Sequence, residues 1–307
     1  MTNLSDKIKI ALDESRILVL GTQILLGFQY RAFFEEGFTA LPRLSQNLKL
    51  IALVLLLLAI ALIMWPSAYH RVVARGADSE AVHWFATRVM DFALLPVAGA
   101  LALDFYVMGA KVLGVSAGLA FAIAIGLAAL LLWFGYALLE RWHLCKEKSR
   151  RTKKPENQRM EKTPLHKRVD QVLTETRVVL PGAQALMGFQ FATMLLGAFD
   201  KLPASSKYIH LASLGLMTLT VIILMTPAAH HRLVERGEDT EHFHAIATLM
   251  LLAAMVTLPL GMCGDLFVVV LKVTGSMSFA IAASGTVLAI FYGLWFGFTT
   301  YWRGRLS

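Results

Sequence analysis

Long apolar runs separated by short charged stretches dominate this chain. Leu50 to Met64 contains no charged or strongly polar side chain, and Met217 to Met225 is nearly as clean. A bilayer core about 30 Å thick needs roughly 20 mostly apolar helical residues. Runs of that length predict helices near residues 15–34, 47–73, 81–110 and 116–140, and again near 176–196, 208–234, 242–271 and 277–301. The pattern is all-α: a polytopic membrane protein with eight transmembrane helices.

The second set of runs repeats the first. Leu12-Asp13-Glu14-Ser15-Arg16 recurs as Leu173-Thr174-Glu175-Thr176-Arg177, and Gly27-Phe28-Gln29 as Gly188-Phe189-Gln190. Between Pro66–Thr87 and Pro227–Thr248, 12 of 22 positions are identical. All of these pairs share one offset, 161 residues, which slips by one only at Trp133-Phe134-Gly135 against Trp295-Phe296-Gly297. A constant offset marks a tandem duplication. The expected organisation is a four-helix repeat over 1–140, a basic linker over 141–172 and a second repeat over 173–307. An even number of helices returns the chain to its starting side. The two repeats are therefore expected to be parallel, forming an intramolecular pseudo-dimer.

Composition agrees with a bilayer. Hydrophobic residues make up 57% and charged residues 16%, against about 25% charged in soluble domains; the mean hydropathy is +0.60. The net charge of +8 does not indicate nucleic acid, because the basic residues lie in short stretches between apolar runs. There they set orientation. The stretch from Glu140 to Val172 holds 11 Lys and Arg, including Lys148, Arg150, Arg151, Lys153 and Lys154; Arg71, Arg75, Arg232 and Arg236 fall on the same side. Both termini, the linker and those loops are expected in the cytoplasm, with the linker able to meet anionic lipid headgroups. Cys145 and Cys263 give no disulfide framework. The polar start, Met1 to Ser15, does not read as a cleavable signal.

The most regular polar motif lies between the second and third helices of each repeat. It reads His70-Arg71…Arg75-Gly76-x-Asp78-x-Glu80-x-x-His83 and His231-Arg232…Arg236-Gly237-x-Asp239-x-Glu241-x-x-His244. Capping chemistry accounts for much of it. The arginines suit the negative end of a helix dipole, Gly76 and Gly237 suit a left-handed helix stop, and Asp78 and Asp239 suit the cap of the next helix. The residues left over offer a metal reading: His70, Glu80, His83 and His231, Glu241, His244, with Glu-x-x-His on one helix face as in di-metal bundles. The same histidines also suit a cytoplasmic pH sensor. No cofactor is specified by sequence.

Two further sets recur. Arg16, Gln23 and Gly27 share one face of the first helix, as do Arg177, Gln184 and Gly188. They read as close helix packing with interhelical hydrogen bonds, or as the lining of a polar path. Asp104 with Lys111, and Asp265 with Lys272, are seven apart and share a face near the outer end of the third helix, which suits an ion pair, a snorkelling lysine or, through Asp104 and Asp265, the outer vestibule of the polar path. Arg88 and Asp91 have no counterpart in the second repeat, which carries Leu249 and Leu252 there; three apart, they are expected to neutralise each other. No Walker loop, dinucleotide fingerprint, nucleophile elbow or zinc-protease motif occurs.

At Leu-x-Glu-x-Arg, Gly-Phe-Gln and Pro-x-Ala-x-His-Arg the chain resembles a family of small bacterial four-helix membrane proteins of unknown function. The second repeat lies closer to that pattern, through Glu175-Thr-Arg-Val-Val-Leu-Pro-Gly-Ala-Gln184 and Pro227-Ala-Ala-His-His-Arg232. The resemblance implies the bacterial inner membrane and no activity, ligand or catalytic residue. Its members usually carry one copy, which implies a dimer that this chain fuses. The expected function is a non-enzymatic scaffold or sensor module. A channel or transporter along the glutamine faces is the competing reading, and a membrane metal enzyme the third.

Overall fold

The computed structural model describes residues 4–72, 80–136, 139, 165–235 and 239–298. Among them every regular element is a helix and there is no strand. Dominance of Leu, Ala, Val and Ile over these runs favours this outcome, because a helix satisfies its backbone polar groups internally and needs no water to do so. In the first repeat the helices are α1 (Leu4–Ala32), the short α2 (Glu36–Thr39), α3 (Arg43–Val72), α4 (Glu80–Leu113) and α5 (Val115–Leu130), whose end widens into a π-helical turn over Leu131–Gly135. The second repeat has the same order: α6 (Leu165–Thr193), α7 (Gly197–Asp200), α8 (Ala204–Leu233), α9 (Glu241–Thr274) and α10 (Met277–Tyr292), again ending in a π-helical turn, Gly293–Phe298.

Six helices, α3, α4, α5, α8, α9 and α10, are long and apolar enough to cross a membrane. Over the described residues, the first helix of each repeat is not among those six. Both begin well ahead of their apolar runs, α1 at Leu4 and α6 at Leu165, so their first turns are polar. Hydropathy marks where a helix becomes apolar, not where it begins. At the opposite end, α9 stops at Gly275 (φ 67°), whose N–H is bonded to the Leu271 carbonyl. The Ser276 hydroxyl then accepts from the Phe279 N–H and starts α10. Such a left-handed stop suits glycine.

Within each repeat the first three long helices pack on one another and the fourth packs on the third. The repeats meet along α1 and α6, where Phe28 and Phe189 lie 4.2 Å apart between ring centroids. A second contact is one-sided: α8 also packs on α4 and on α5 with its π-helical turn. Buried residues make up 72% of the apolar span of α8 but 33% of that of α3.

Candidate functional site

A buried polar cluster sits in each repeat, at the end of the helices away from the hairpin. In the first, α3 holds Lys49 with no exposed surface. Its Nζ donates to Asp104 Oδ1 on α4 at 2.7 Å and to Gln29 Oε1 on α1 at 2.8 Å. Gln29 Nε2 donates to Asp104 Oδ1 at 3.1 Å and to the Lys49 carbonyl at 3.3 Å. Taking an ammonium and a carboxylate out of water costs several kcal/mol each, which their attraction offsets only with such geometry and added hydrogen bonds. The site is closed. Phe191 of α6 places its ring 5.8 Å from Lys49 Nζ, and the adjoining cavity, lined by Leu25, Phe28, Leu101, Asp104 and Phe191 among others, is about 10 Å³. That is about the room one water needs.

The second repeat rebuilds the cluster at the equivalent positions with histidine in place of lysine. His210 Nδ1 lies 2.8 Å from Asp265 Oδ1 and Nε2 lies 3.1 Å from the Gln190 carbonyl. Gln190 Nε2 donates to Asp265 Oδ2. Both ring nitrogens face oxygen atoms, one of the Asp265 carboxylate and one of the Gln190 backbone. This cluster is open. The counterpart of Phe191 is Tyr30, which is exposed, and a cleft of about 480 Å³ runs along Gln190, His210 and Asp265 between α6, α8 and α9.

These contacts correct two expected ion pairs. Asp104 does not pair with Lys111, nor Asp265 with Lys272. Seven residues of helix separate the partners by about 10 Å along the axis, and each aspartate has a basic neighbour on an adjacent helix instead. Lys111 turns to the second repeat, 2.9 Å from Asp200 and donating to the Met194 carbonyl at 2.7 Å. Arg88 and Asp91 do not neutralise each other either. Arg88 lies over the Trp84 ring, and Asp91 accepts from Arg232 Nε of α8 at 2.9 Å.

The residues of the suggested polar path separate. Gln184 is buried in the α1–α6 contact, where its side chain fills the space left by Gly21 and neither amide atom has a partner. Gln23 and Arg16 are exposed, and Arg177 is half-buried.

Of the hairpin, Gly76, Asp78, Gly237 and the side chain of His70 lie outside the described residues. The cap of α9 is Thr240 rather than Asp239: the Thr240 hydroxyl accepts from the Phe243 N–H at 3.0 Å. Asp239 stands one residue too early for that bond and lies 3.9 Å from His231 Nε2. His231 is buried against Phe243. Glu241 and His244 come together, but around a cation: Arg168 Nη1 of α6 reaches Glu241 at 2.8 and 3.0 Å, and Nη2 lies 3.3 Å from His244 Nδ1. Glu80 is exposed and His83 half-buried. Among the described residues no three His, Cys, Asp or Glu side chains converge as metal ligands.

Sequence reasoning found Asp104 and Asp265 and quoted Gln29 and Gln190 as repeat markers, yet missed Lys49, His210, Arg168 and Thr240. Lys49 and His210 sit at the same offset of 161 and are both basic, a signal that counting identities alone passes over.

A family model described as a family of unknown function (DUF6328) matches this chain twice, over residues 5–137 and 158–299. No curated protein and no solved structure matches.

Proposed function

The chain belongs to DUF6328, a family of unknown function, and from its geometry we propose a non-enzymatic membrane module, a scaffold or sensor rather than a conduit. Eight helices cross the bacterial inner membrane in this reading, as two parallel repeats with both termini, the linker and the hairpins in the cytoplasm. The membrane crossings of α1 and α6 are supported by their place in the bundle: each packs on the other and on apolar neighbours, which removes the need for a fully apolar surface. The basic linker meets anionic headgroups, at about 1 kcal/mol per basic residue near the surface.

One observation carries this choice over a transporter. Gln184, the recurring glutamine at mid-helix, is packed against Gly21 inside the α1–α6 contact, and its partner Gln23 is exposed. A hydrated path would need both on one cavity. The sensor aspect rests on the Arg168–Glu241–His244 cluster, a polar contact that ties the start of α6 to the start of α9 beside the hairpin. Flux through proteoliposomes, measured with a panel of monovalent and divalent ions, tests the reading. The expected result is no selective flux above protein-free vesicles. Selective flux lost on Gln23→Leu with Gln184→Leu would overturn it.

A further inference from the structure

We propose that the open cleft of the second repeat binds a single-chain anionic lipid, a monoacyl glycerol phosphate, with its phosphate at Lys201 and Lys272 and its free hydroxyl at Gln190.

The shape of the site supports one chain entering from the bilayer. The cleft of about 480 Å³ is walled by Leu186, Met217, Met262, Leu266 and Val269, within the roughly 300–1,000 Å³ of pockets that enclose small molecules. Its edges carry exposed Leu186, Phe189 and Val269, side chains at home against lipid tails rather than water. Toward the outer end it continues, through the shared lining of Ala198, Leu202 and Lys272, into a second cleft of about 330 Å³ that adds Lys201 and Ser206.

The chemistry supports the head. Lys201 and Lys272 are exposed and neither is paired with an acid among the described residues. Two unpaired ammonium groups at one mouth favour an anion. At the floor, Gln190 is 4% exposed, and with its Nε2 committed to Asp265, its Oε1 is left without a partner. A buried acceptor without a donor is costly, and a ligand hydroxyl would relieve it. Seven residues of α9, about 10 Å, separate Asp265 from Lys272, a span that a glycerol phosphate and a lysine stem cover together. In the first repeat Phe191 and the 10 Å³ cavity leave no such room, so one lipid per chain is expected.

The inference goes beyond the module reading and holds or fails independently of ion flux. Native mass spectrometry of the full chain, released from a non-ionic detergent, provides the test with three probes: monoacyl glycerol phosphate, diacyl glycerol phosphate and monoacylglycerol. A one-to-one adduct with the first is expected, at least about tenfold tighter than with either other lipid, since each of those lacks one of the two polar contacts. Val269→Trp, at an exposed position, should block the adduct without altering thermal unfolding. Lys201→Gln with Lys272→Gln should remove the preference for phosphate, and Gln190→Leu the preference for the free hydroxyl. Absence of the adduct, equal binding of the diacyl lipid, or an adduct untouched by Val269→Trp would each overturn the proposal. So would a change of oligomeric state in Val269→Trp, which would make this face a contact between copies.

Discussion

A lysine with no exposed surface is stable only as part of its cluster. Lys49 gives up hydration for Asp104 and Gln29, so the cost of a substitution depends on what it leaves behind. Lys49→Met strands the Asp104 carboxylate and should destabilise by about 3–5 kcal/mol. Lys49→Met with Asp104→Leu removes both charges and should recover most of that loss. Lys49→His, which copies the second repeat, should be milder than Lys49→Met. Denaturant unfolding in detergent measures all three, and equal losses in the single and double variants would refute the account. The aspartates of this cluster were legible in the sequence because they recur unchanged. Their partners were not, because lysine and histidine differ as letters while holding the same place beside the aspartate. A linear sequence also favours near neighbours, so Lys111 and Arg88 were matched to aspartates on their own helix, where axial spacing or a better partner prevents the pair.

The first helices show how one motif takes two roles. A Cβ added at Gly188 would lie 2.2 Å from Phe28 Cδ2, while at Gly27 nothing lies within 4 Å. An aromatic ring cannot yield by that much without moving α1 from α6. Gly188→Ala should therefore destabilise by about 1–3 kcal/mol through overpacking, with relief when Phe28→Ala is added. Gly27→Ala should be neutral or stabilise by up to about 1 kcal/mol, the ordinary helix preference of alanine over glycine. Thermal unfolding of the two variants side by side decides this; equal effects would mean the contact is symmetric. At this scale the existence of the long helices was readable from apolar runs alone. Their starts were not, since α1 and α6 extend through polar turns that hydropathy discounts. The cap of α9 was misplaced by a single residue, Thr240 for Asp239, because both side chains can cap and only the backbone decides which one is in position.

At the scale of the molecule, duplication supplies two equal halves and folding makes them unequal. A strict twofold would give each second-helix arginine an acid on the other repeat. Arg232 has Asp91 at 2.9 Å, but the position equivalent to Asp91 in the second repeat is Leu252. The same bias appears in Trp133, fully buried, whose Nε1 donates to the Ile222 carbonyl of α8 at 3.0 Å. Asp91 thus reads as an adaptation of the fused pair: with both repeats on one chain, each can specialise for its side of the contact. The one-sided arrangement also explains why the first cluster is sealed and the second open, because α6 brings Phe191 over Lys49 while Tyr30 of α1 stays exposed. If Asp91–Arg232 holds the halves together, a protease site placed in the basic linker should yield fragments that still co-purify in mild detergent. Asp91→Leu should weaken that association by about 2–5 kcal/mol, the cost of breaking a buried charge pair. The reversed pair, Asp91→Arg with Arg232→Asp, should restore part of it. Halves that separate equally in all variants, or remain together equally, would show that the α1–α6 contact alone sets the association.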